Sequence, residues 1–588
     1  MLLEKNQKLA SIFKEMAAIY KYMGAEERFR SISYNKASRV IESLKEDISE
    51  YIKSKTLDDI PGIGKSISEK IIEFVKTGSI KKYEILKKNT PHELIEMMEI
   101  RGFGPQSLKK INNELNINTK EQLINALNEG KINKLKGFGK KKTEGMLRGL
   151  KIHKTIEKRL LLWNALKIGN QIIDELKQIP EVIQIELAGS LRRKKETIGD
   201  IDILISSIEK NRNKIINNFT RLKSVKQILV KGVTKASVIL KKPEIQVDLR
   251  ILKDEEWGSA LQYFTGSKEH NIHLRRIAKE KGYKISEYGI LDINTQKKTS
   301  CKTEEDVYKT ISYNIMPPEI REDKGELEQN INKNIPKLIS EKDIKGDFHI
   351  HSKWSDGLFS IEEIAKYIKK EYQYKYIVIT DHSKSSRIAN GMDEKKIMKQ
   401  LKEIETINKN LGENFIKSGI EVDILTNGDL DISDEVLEQL DWVTASIHSR
   451  FNEDNTERLI KACENKSVNC IGHPTGRLIG QREAYQLDVI KLIDIAKKTN
   501  TALEINAQPQ RMDLKDDLAM YACEQGVKLV IGSDTHSLQD FEYIDLGVYI
   551  ARIAWCKSSD IINTMLWLEI ENWKKINQKN TTKKILSY

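Results

Sequence analysis

No apolar run in the 588 residues approaches the roughly 20 needed to cross a bilayer, and the opening MLLEKNQKLASIFKEM lacks a signal-peptide pattern. Cysteine is scarce. Its five residues, Cys301, Cys463, Cys470, Cys523 and Cys556, are odd in number and contain no CxxC pair. That argues against a disulfide framework and a cysteine-based zinc site, and leads us to expect a cytoplasmic protein without a membrane partner. Positive charge is in short supply in only one part. Residues 343–588 carry a net −6, whereas the remainder carries +19 of a total of +13. A basic part joined to a mildly acidic one suits a polyanion held by the first, although a solvated lysine-rich surface gives the same sign. The length implies roughly three to five domains.

What is present, first, is a repeat. Short amphipathic helices in the first 150 residues are punctuated by Ile60-Pro61-Gly62-Ile63-Gly64, Ile100-Arg101-Gly102-Phe103-Gly104 and Leu135-Lys136-Gly137-Phe138-Gly139. A tight glycine turn at a helix N-terminus exposes backbone N–H groups, and the dipole there favours an anion such as phosphate. The apolar residue between the glycines is free to pack into a hairpin core. Three copies in one setting, each near Lys or Arg, resemble helix-hairpin-helix elements that grip DNA backbone without reading sequence. Gly62, Gly64, Lys65, Gly102, Gly104, Gly137 and Gly139 are the expected contacts.

From about residue 151 the pattern becomes α+β: a helix (LLLWNALKIGNQIIDELK), a strand (VIQIELAGS), then IGDIDILIS and a strand pair around SVIL and EIQVDLRIL. The polar, proline-bearing stretch over 316–346 reads as a linker. After it, seven apolar strands alternate with amphipathic helices: GDFHIHS, YKYIVITDH, FIKSGIEVDI, LDWVTASIHS, SVNCIGHP, TALEINAQ and KLVIGSDTH. Seven strand–helix repeats imply a parallel sheet closed into a barrel, with chemistry at the strands' C-terminal ends.

The α+β region carries Gly189-Ser190-Leu191-Arg192-Arg193 and, after six residues, Gly199-Asp200-Ile201-Asp202. Residues two apart on a strand point the same way, so Asp200 and Asp202 share a face, and Asp248 on a second strand completes a trio. Three converging carboxylates are costly unless cations neutralise them, and hard oxygen ligands suit Mg²⁺ or Mn²⁺. Two such ions would activate a 3′-hydroxyl and stabilise leaving pyrophosphate. Ser190 and Arg193, near a helix N-terminus, are placed to hold a triphosphate. A DxD alone is more often a surface turn; the upstream Gly-Ser element and the third aspartate argue otherwise.

This pattern resembles the nucleotidyltransferase superfamily. Tyr263-Phe264-Thr265-Gly266-Ser267, with Asn271 and Arg275, narrows the resemblance to family X DNA polymerases, polymerase beta among them, over about 1–315. The resemblance implies that Gly189, Ser190, Arg193, Tyr263, Phe264, Gly266, Asn271 and Arg275 bind nucleotide, with Tyr263 and Phe264 disfavouring ribonucleotides. Asn271 would touch the base edge and Arg275 the template side. The segment from Pro61 to Lys70 resembles the 5′-phosphate-binding and lyase domain of polymerase beta. Lys70 then stands where a Schiff-base lysine would, or serves as a plain phosphate contact; a nucleophilic role needs neighbouring positive charge or burial.

Six histidines and three acids lie at strand ends after the linker: His349, His351, Asp356, His382, Glu421, His448, His473, Asp534 and His536. Strand alternation points His349 with His351 and Asp534 with His536. Imidazole with carboxylate suits Zn²⁺, Mn²⁺ or Fe²⁺, and nine ligands imply two or three ions bridged by Glu421. The set resembles the polymerase-and-histidinol-phosphatase (PHP) domain over about 343–575. By that resemblance all nine metal positions are filled, Arg477 and Asn506 contact phosphate, and the activity is 3′–5′ exonuclease, with abasic-site endonuclease second to it. Arg477 as a structural ion pair fits equally.

The expected organisation is multidomain. A 5′-phosphate-binding helical domain (1–85) and a hairpin subdomain (86–150) precede a nucleotidyltransferase palm (151–250) and thumb (251–315). A linker (316–342) leads to a (β/α)7 PHP barrel (343–575). The expected function is gap filling in DNA repair by a monomeric polymerase and exonuclease, with gapped or nicked DNA and dNTPs as partners. A non-DNA nucleotidyltransferase coupled to a small-phosphate phosphoesterase is the alternative, disfavoured by the hairpins and the basic part.

Overall fold

The computed structural model describes residues 4–42, 44, 47–60, 62–100, 103–140, 142–147, 150, 159–331 and 335–575; Gly102, Pro61 and Arg101 of the hairpin motifs lie outside the described residues. The chain divides into two compact units. One holds residues 1–154, 346–488 and 533–542; the other holds 155–345, 489–532 and 543–588.

In the first unit, helices α1 (Glu4–Met23) and α2 (Arg28–Glu42) pack together over a core that includes Leu9, Phe13, Met16 and Ile41. The three hairpins are built alike. Ile63 N–H donates to Ile60 O at 3.0 Å, Phe103 to Ile100 at 3.1 Å and Phe138 to Leu135 at 3.0 Å. Each donor's side chain is buried in that same core, so the apolar residue between the glycines anchors the turn. Gly62 and Gly137 have φ of +97° and +88°, a backbone region that a side chain resists. Gly64 and Gly104 are the N-caps of α3 (Lys65–Thr77) and α4 (Pro105–Leu115). A Cβ built on Gly64, Gly104 or Gly139 meets nothing within 4 Å, which leaves these turns open to a ligand.

In the second unit, helix α5 (Leu162–Lys177) packs on a five-stranded sheet. Its strands are β1 (Gln184–Leu187), β2 (Asp200–Ser206), β3 (Val225–Lys231), β4 (Lys235–Leu240) and β5 (Gln246–Leu252), hydrogen-bonded in the order β1-β2-β5-β4-β3. Only β2 and β5 pair in parallel. Helices α6 (Gly189–Arg192), α7 (Trp257–Thr265) and α8 (Lys268–Glu280) frame the sheet's functional edge.

The segment expected as a linker over 316–342 is instead part of the thumb core. Met316, Ile320, Leu327 and Leu338 are buried with Leu274, Ile285, Tyr308 and Ile311. Two of its charged residues are buried and paired: Arg321 bonds Glu304, and Glu326 accepts from or shares a proton with His270 at 2.7 Å. A charged, proline-bearing segment looks like a linker only while its partners are out of sight.

The seven strands after it are β6 (Gly346–Ile350), β7 (Tyr376–Ile379), β8 (Ile416–Asp423), β9 (Trp442–Ser446), β10 (Cys470–Ile471), β11 (Ala502–Asn506) and β12 (Leu529–Gly532), hydrogen-bonded in chain order. Pairing is parallel, as in β6–β7, β7–β8 and β8–β9. A further parallel bridge, Ile350 with Thr535, leads from beyond β12 back to β6, so the sheet is a nearly closed (β/α)7 barrel. Burial on both faces explains why these strands read as continuous apolar runs. The five cysteines are free thiols, and among the described residues no helix is long and apolar enough to span a membrane.

Candidate active sites

The parallel register of β2 and β5 sets Asp202 directly beside Asp248, with Asp200 two residues earlier on the same face. Gln246 Nε2 donates to Asp248 Oδ1 at 3.0 Å, and Lys235 Nζ lies 3.6 Å from Asp248 Oδ2. Gly189 closes the trio from behind: at φ +59°, a Cβ there would stand 2.2 Å from Asp202 Oδ2. Burial, then Asp200 and Asp248, push the Asp202 carboxyl up to about 7, against the pull of Lys235 and Arg193. A site that drives one of its carboxylates toward protonation is a site that a divalent cation relieves.

Ser190 is the second residue of α6, and Arg193 follows the helix. Arg193 Nε donates to Glu322 Oε1 at 2.8 Å and Nη1 donates to the Thr265 carbonyl. Tyr263 and Phe264 end α7 edge to face, with ring centroids 5.1 Å apart. Arg250 lies 4.9 Å over the Phe264 ring and Arg275 5.8 Å over Tyr263. Both ends of the Asn271 amide are engaged, accepting from Gln262 at 2.8 Å and donating to Tyr263 O at 2.7 Å. Gly266, at φ +73°, turns the chain between these helices. Arg193 thus lies beside Gly266, and Asn271 and Arg275 lie against Tyr263, with Asn271 acting as its brace.

In the helical part of the first unit, a cavity of about 950 Å³ is lined by Tyr20, Arg30, Lys36, Lys65, Lys70 and Lys82, among others. Lys70 Nζ donates to Ser66 O at 2.8 Å and to Ser66 Oγ at 3.0 Å. Burial lowers its pKa, opposed by Glu69 and Glu73 and aided by Lys82 and Arg30. Arg30, Lys36 and Lys82 escaped the sequence reading because no local motif marks them.

The barrel centre is built around Glu421 on β8. Its two oxygens lie 3.4 Å from His349 Nε2, 3.7 Å from His351 Nε2, 2.9 Å from His382 Nδ1, 3.3 Å from His448 Nε2 and 3.0 Å from His473 Nε2. Asp534 Oδ1 lies 3.3 Å from His351 Nε2, and Asp356 Oδ1 lies 3.3 Å from His536 Nε2. Among the described residues, three groups bring ligand atoms within 4.8 Å: His351, Asp356, His382 and His536; His349, His351 and Glu421; His382, Glu421 and His448.

The donors fit metal. Both ring nitrogens of His351 are buried without a directed hydrogen bond, an arrangement costly for imidazole alone. Burial, then His536 and His382, hold His351 down to about 4, so it is neutral and able to ligate. Carboxylates outweigh burial at His448 and His536, raised to about 10 and about 9. Those protons are what a bound cation would displace.

The ligands are not all held as strand alternation suggests. Asp534 lies beyond β12 with φ +52°, and His473 has φ +26°, so both are aimed by loop conformation. Two acids had no motif to reveal them. Asp423 Oδ1 accepts from His448 Nδ1 at 2.9 Å and orients that ring. Asp381 accepts from Ser352 N–H at 2.7 Å, from Ser355 N–H at 3.1 Å and from Gln400 Nε2 at 2.6 Å, fixing the loop before Asp356. Gly357 is obligatory there, since a Cβ would sit 2.2 Å from His351 O. Asn506 ends β11 and donates to Glu504 at 3.3 Å.

A carboxylate-bearing palm with its thumb, joined to a histidine-lined barrel, defines a two-centre enzyme: a nucleotidyltransferase and a metal-dependent phosphoesterase in one chain. Family models match accordingly, a helix-hairpin-helix domain at residues 4–80, a DNA polymerase beta palm at 164–277 and a DNA polymerase beta thumb at 260–322. The DNA polymerase/3′-5′ exonuclease PolX of Bacillus subtilis is 39% identical over 569 residues, covering 96% of this chain and 98% of that protein. The chain belongs to this family. The repair DNA polymerase X of African swine fever virus is 30% identical over 179 residues, 30% of this chain and 98% of that protein. A protein named as a probable phosphatase in Clostridium acetobutylicum is 33% identical over 130 residues, 20% of this chain and 51% of that protein.

Proposed function

We propose that this chain is a DNA-directed DNA polymerase that fills short gaps in repair and a 3′–5′ exonuclease that trims primer ends, each activity at its own centre. The observation that supports the reading is two groups of candidate ligands in one chain: Asp200, Asp202 and Asp248 placed by the β2–β5 register, and eight side chains gathered with Glu421. Mg²⁺ or Mn²⁺ suits the all-oxygen trio, and two or three Zn²⁺, Mn²⁺ or Fe²⁺ ions suit the imidazole-rich set. When bound, such ions supply a nucleophile at neutral pH and offset charge on the reacting phosphate.

The residues do the rest. Ser190 and Arg193 hold the triphosphate, Tyr263 and Phe264 wall the sugar, and Gly266 allows the close approach of backbone. Arg275 serves the template side, and Asn271 reaches the base edge by giving up its bond to Gln262 or Tyr263. Gly62, Gly64, Lys65, Gly102, Gly104, Gly137 and Gly139 grip DNA backbone through open helix N-termini. In the barrel, Asp423 and Asp381 keep the ligands aimed while Arg477 steadies phosphate. The protein acts as a monomer on gapped or nicked DNA.

The lowered pKa of Lys70 inside a basic cavity supports 5′-deoxyribose-phosphate lyase activity as a second reading of the helical domain. Borohydride trapping on a 5′-deoxyribose-phosphate end is expected to give an adduct that Lys70→Ala loses; no Lys70-dependent adduct leaves Lys70 as a phosphate contact. For the main reading, a 5′-phosphorylated gapped duplex with a labelled primer is incubated in Mg²⁺ or Mn²⁺, with and without dNTPs. Extension with dNTPs and shortening without them are expected. A primer left unchanged under every condition would remove DNA as the substrate.

A further inference from the structure

Two adjacent arginines, Arg192 and Arg193, are held in opposite ways. Arg192 is locked: Nη1 and Nη2 donate to the two oxygens of Glu304 at 3.0 and 2.7 Å, and Glu304 is shared with the fully buried Arg321. Arg193 has one carboxylate contact, Nε to Glu322 Oε1 at 2.8 Å, and Lys195 Nζ stands 3.7 Å from that same oxygen. The Arg193 and Glu322 side chains are 13% and 15% exposed, and Lys195 is 32% exposed. The Arg193–Glu322 contact is therefore sheltered, and Lys195 is the most exposed of the three. Arg193 Nη1 also donates to the Thr265 carbonyl beside Gly266, and its positive charge reaches the Asp202 carboxyl, so the same guanidinium serves Glu322 and the aspartate site.

We infer that Glu322 is a resident counter-ion of the nucleotide site, neutralising Arg193 and Lys195 until an incoming triphosphate replaces it, and thereby setting nucleotide affinity. The inference rests on Arg193 as a triphosphate ligand. An unpaired guanidinium and ammonium beside three carboxylates would be drawn onto them. The Glu322 carboxylate at Nε and the Thr265 carbonyl at Nη1 hold the guanidinium in place, the first by a charge-assisted bond. A triphosphate brings more acceptors and more negative charge to the same donors, and must overcome Glu322 to use them. Glu322 is thus a positioning residue that trades affinity for an arginine kept in place.

The test compares Glu322→Gln, Arg193→Ala and the double variant in steady-state primer extension, with inorganic tripolyphosphate as a competing anion. Gln keeps an acceptor for Arg193 Nε while removing the charge. Glu322→Gln is expected to lower KM for dNTP about three- to tenfold, the range for one part-buried charge pair, and by more than kcat changes. Inhibition by tripolyphosphate should strengthen in parallel, and both effects should shrink in high salt. Arg193→Ala should raise KM and cancel the gain in the double variant. An unchanged KM in Arg193→Ala would overturn the triphosphate reading and this inference with it. A raised KM there, with KM unchanged or raised in Glu322→Gln, would overturn this inference alone. Shortening of the primer without dNTPs reports that each variant is folded.

Discussion

One methyl group at position 189 would lie 2.2 Å from Asp202 Oδ2, and this makes Gly189 as informative as the aspartates themselves. Gly189→Ala should depress primer extension on the order of 10²-fold, because a displacement of an ångström at a metal ligand is costly, while shortening continues. Glu421 is the corresponding residue of the barrel, since five imidazoles approach its two oxygens. Glu421→Gln should abolish shortening, lower the metal retained on a chelating column and leave extension intact. Asp423→Asn, one step removed, should cost about 10- to 100-fold in shortening. Most of the nine candidate barrel ligands and the aspartate trio could be picked out because they sit in a local pattern, such as HxH, DxD or a histidine closing an apolar strand. Asp423, Asp381 and Glu322 could not, because their meaning lies in partners 25, 29 and 129 residues away.

At the scale of elements, the thumb depends on the segment read as a linker. Burial alone would raise the Glu304 carboxyl, but Arg321 and Arg192 overcome it and hold it down to about 2 from an ordinary 4.5. A carboxyl depressed in the folded state contributes stability above its unfolded pKa and loses it as pH falls through the folded one. The contribution, roughly 3 kcal/mol, is therefore present above about pH 4.5 and fades toward pH 2. Glu304→Gln should lower the melting temperature of the polymerase part at neutral pH, and the gap from wild type should narrow below about pH 4.5. A gap independent of pH would mean that Glu304 acts by packing alone. The hairpins show the opposite case of legibility. Their glycine spacing predicted the turns, and Ile63, Phe103 and Phe138 fill the core as expected because the same local geometry is used each time. Strand order in the palm was out of reach, since pairing of β2 with β5 joins residues 46 apart that no local pattern links.

At the scale of the molecule, the +19 of residues 1–342 and the −6 of residues 343–588 suit a grip on DNA by the basic part. Binding to gapped duplex should weaken steeply with salt, and replacing Lys65 should lower the slope by about one phosphate contact. A flat salt response would remove backbone charge as the source of affinity. The central claim is that two chemistries belong to two separate centres. The direct measurement is one gapped-duplex reaction followed with and without dNTPs, with wild type beside Asp200→Ala/Asp202→Ala and His349→Ala/His351→Ala. Loss of extension alone in the first variant and of shortening alone in the second is the predicted result. Loss of both activities in either folded variant would contradict it.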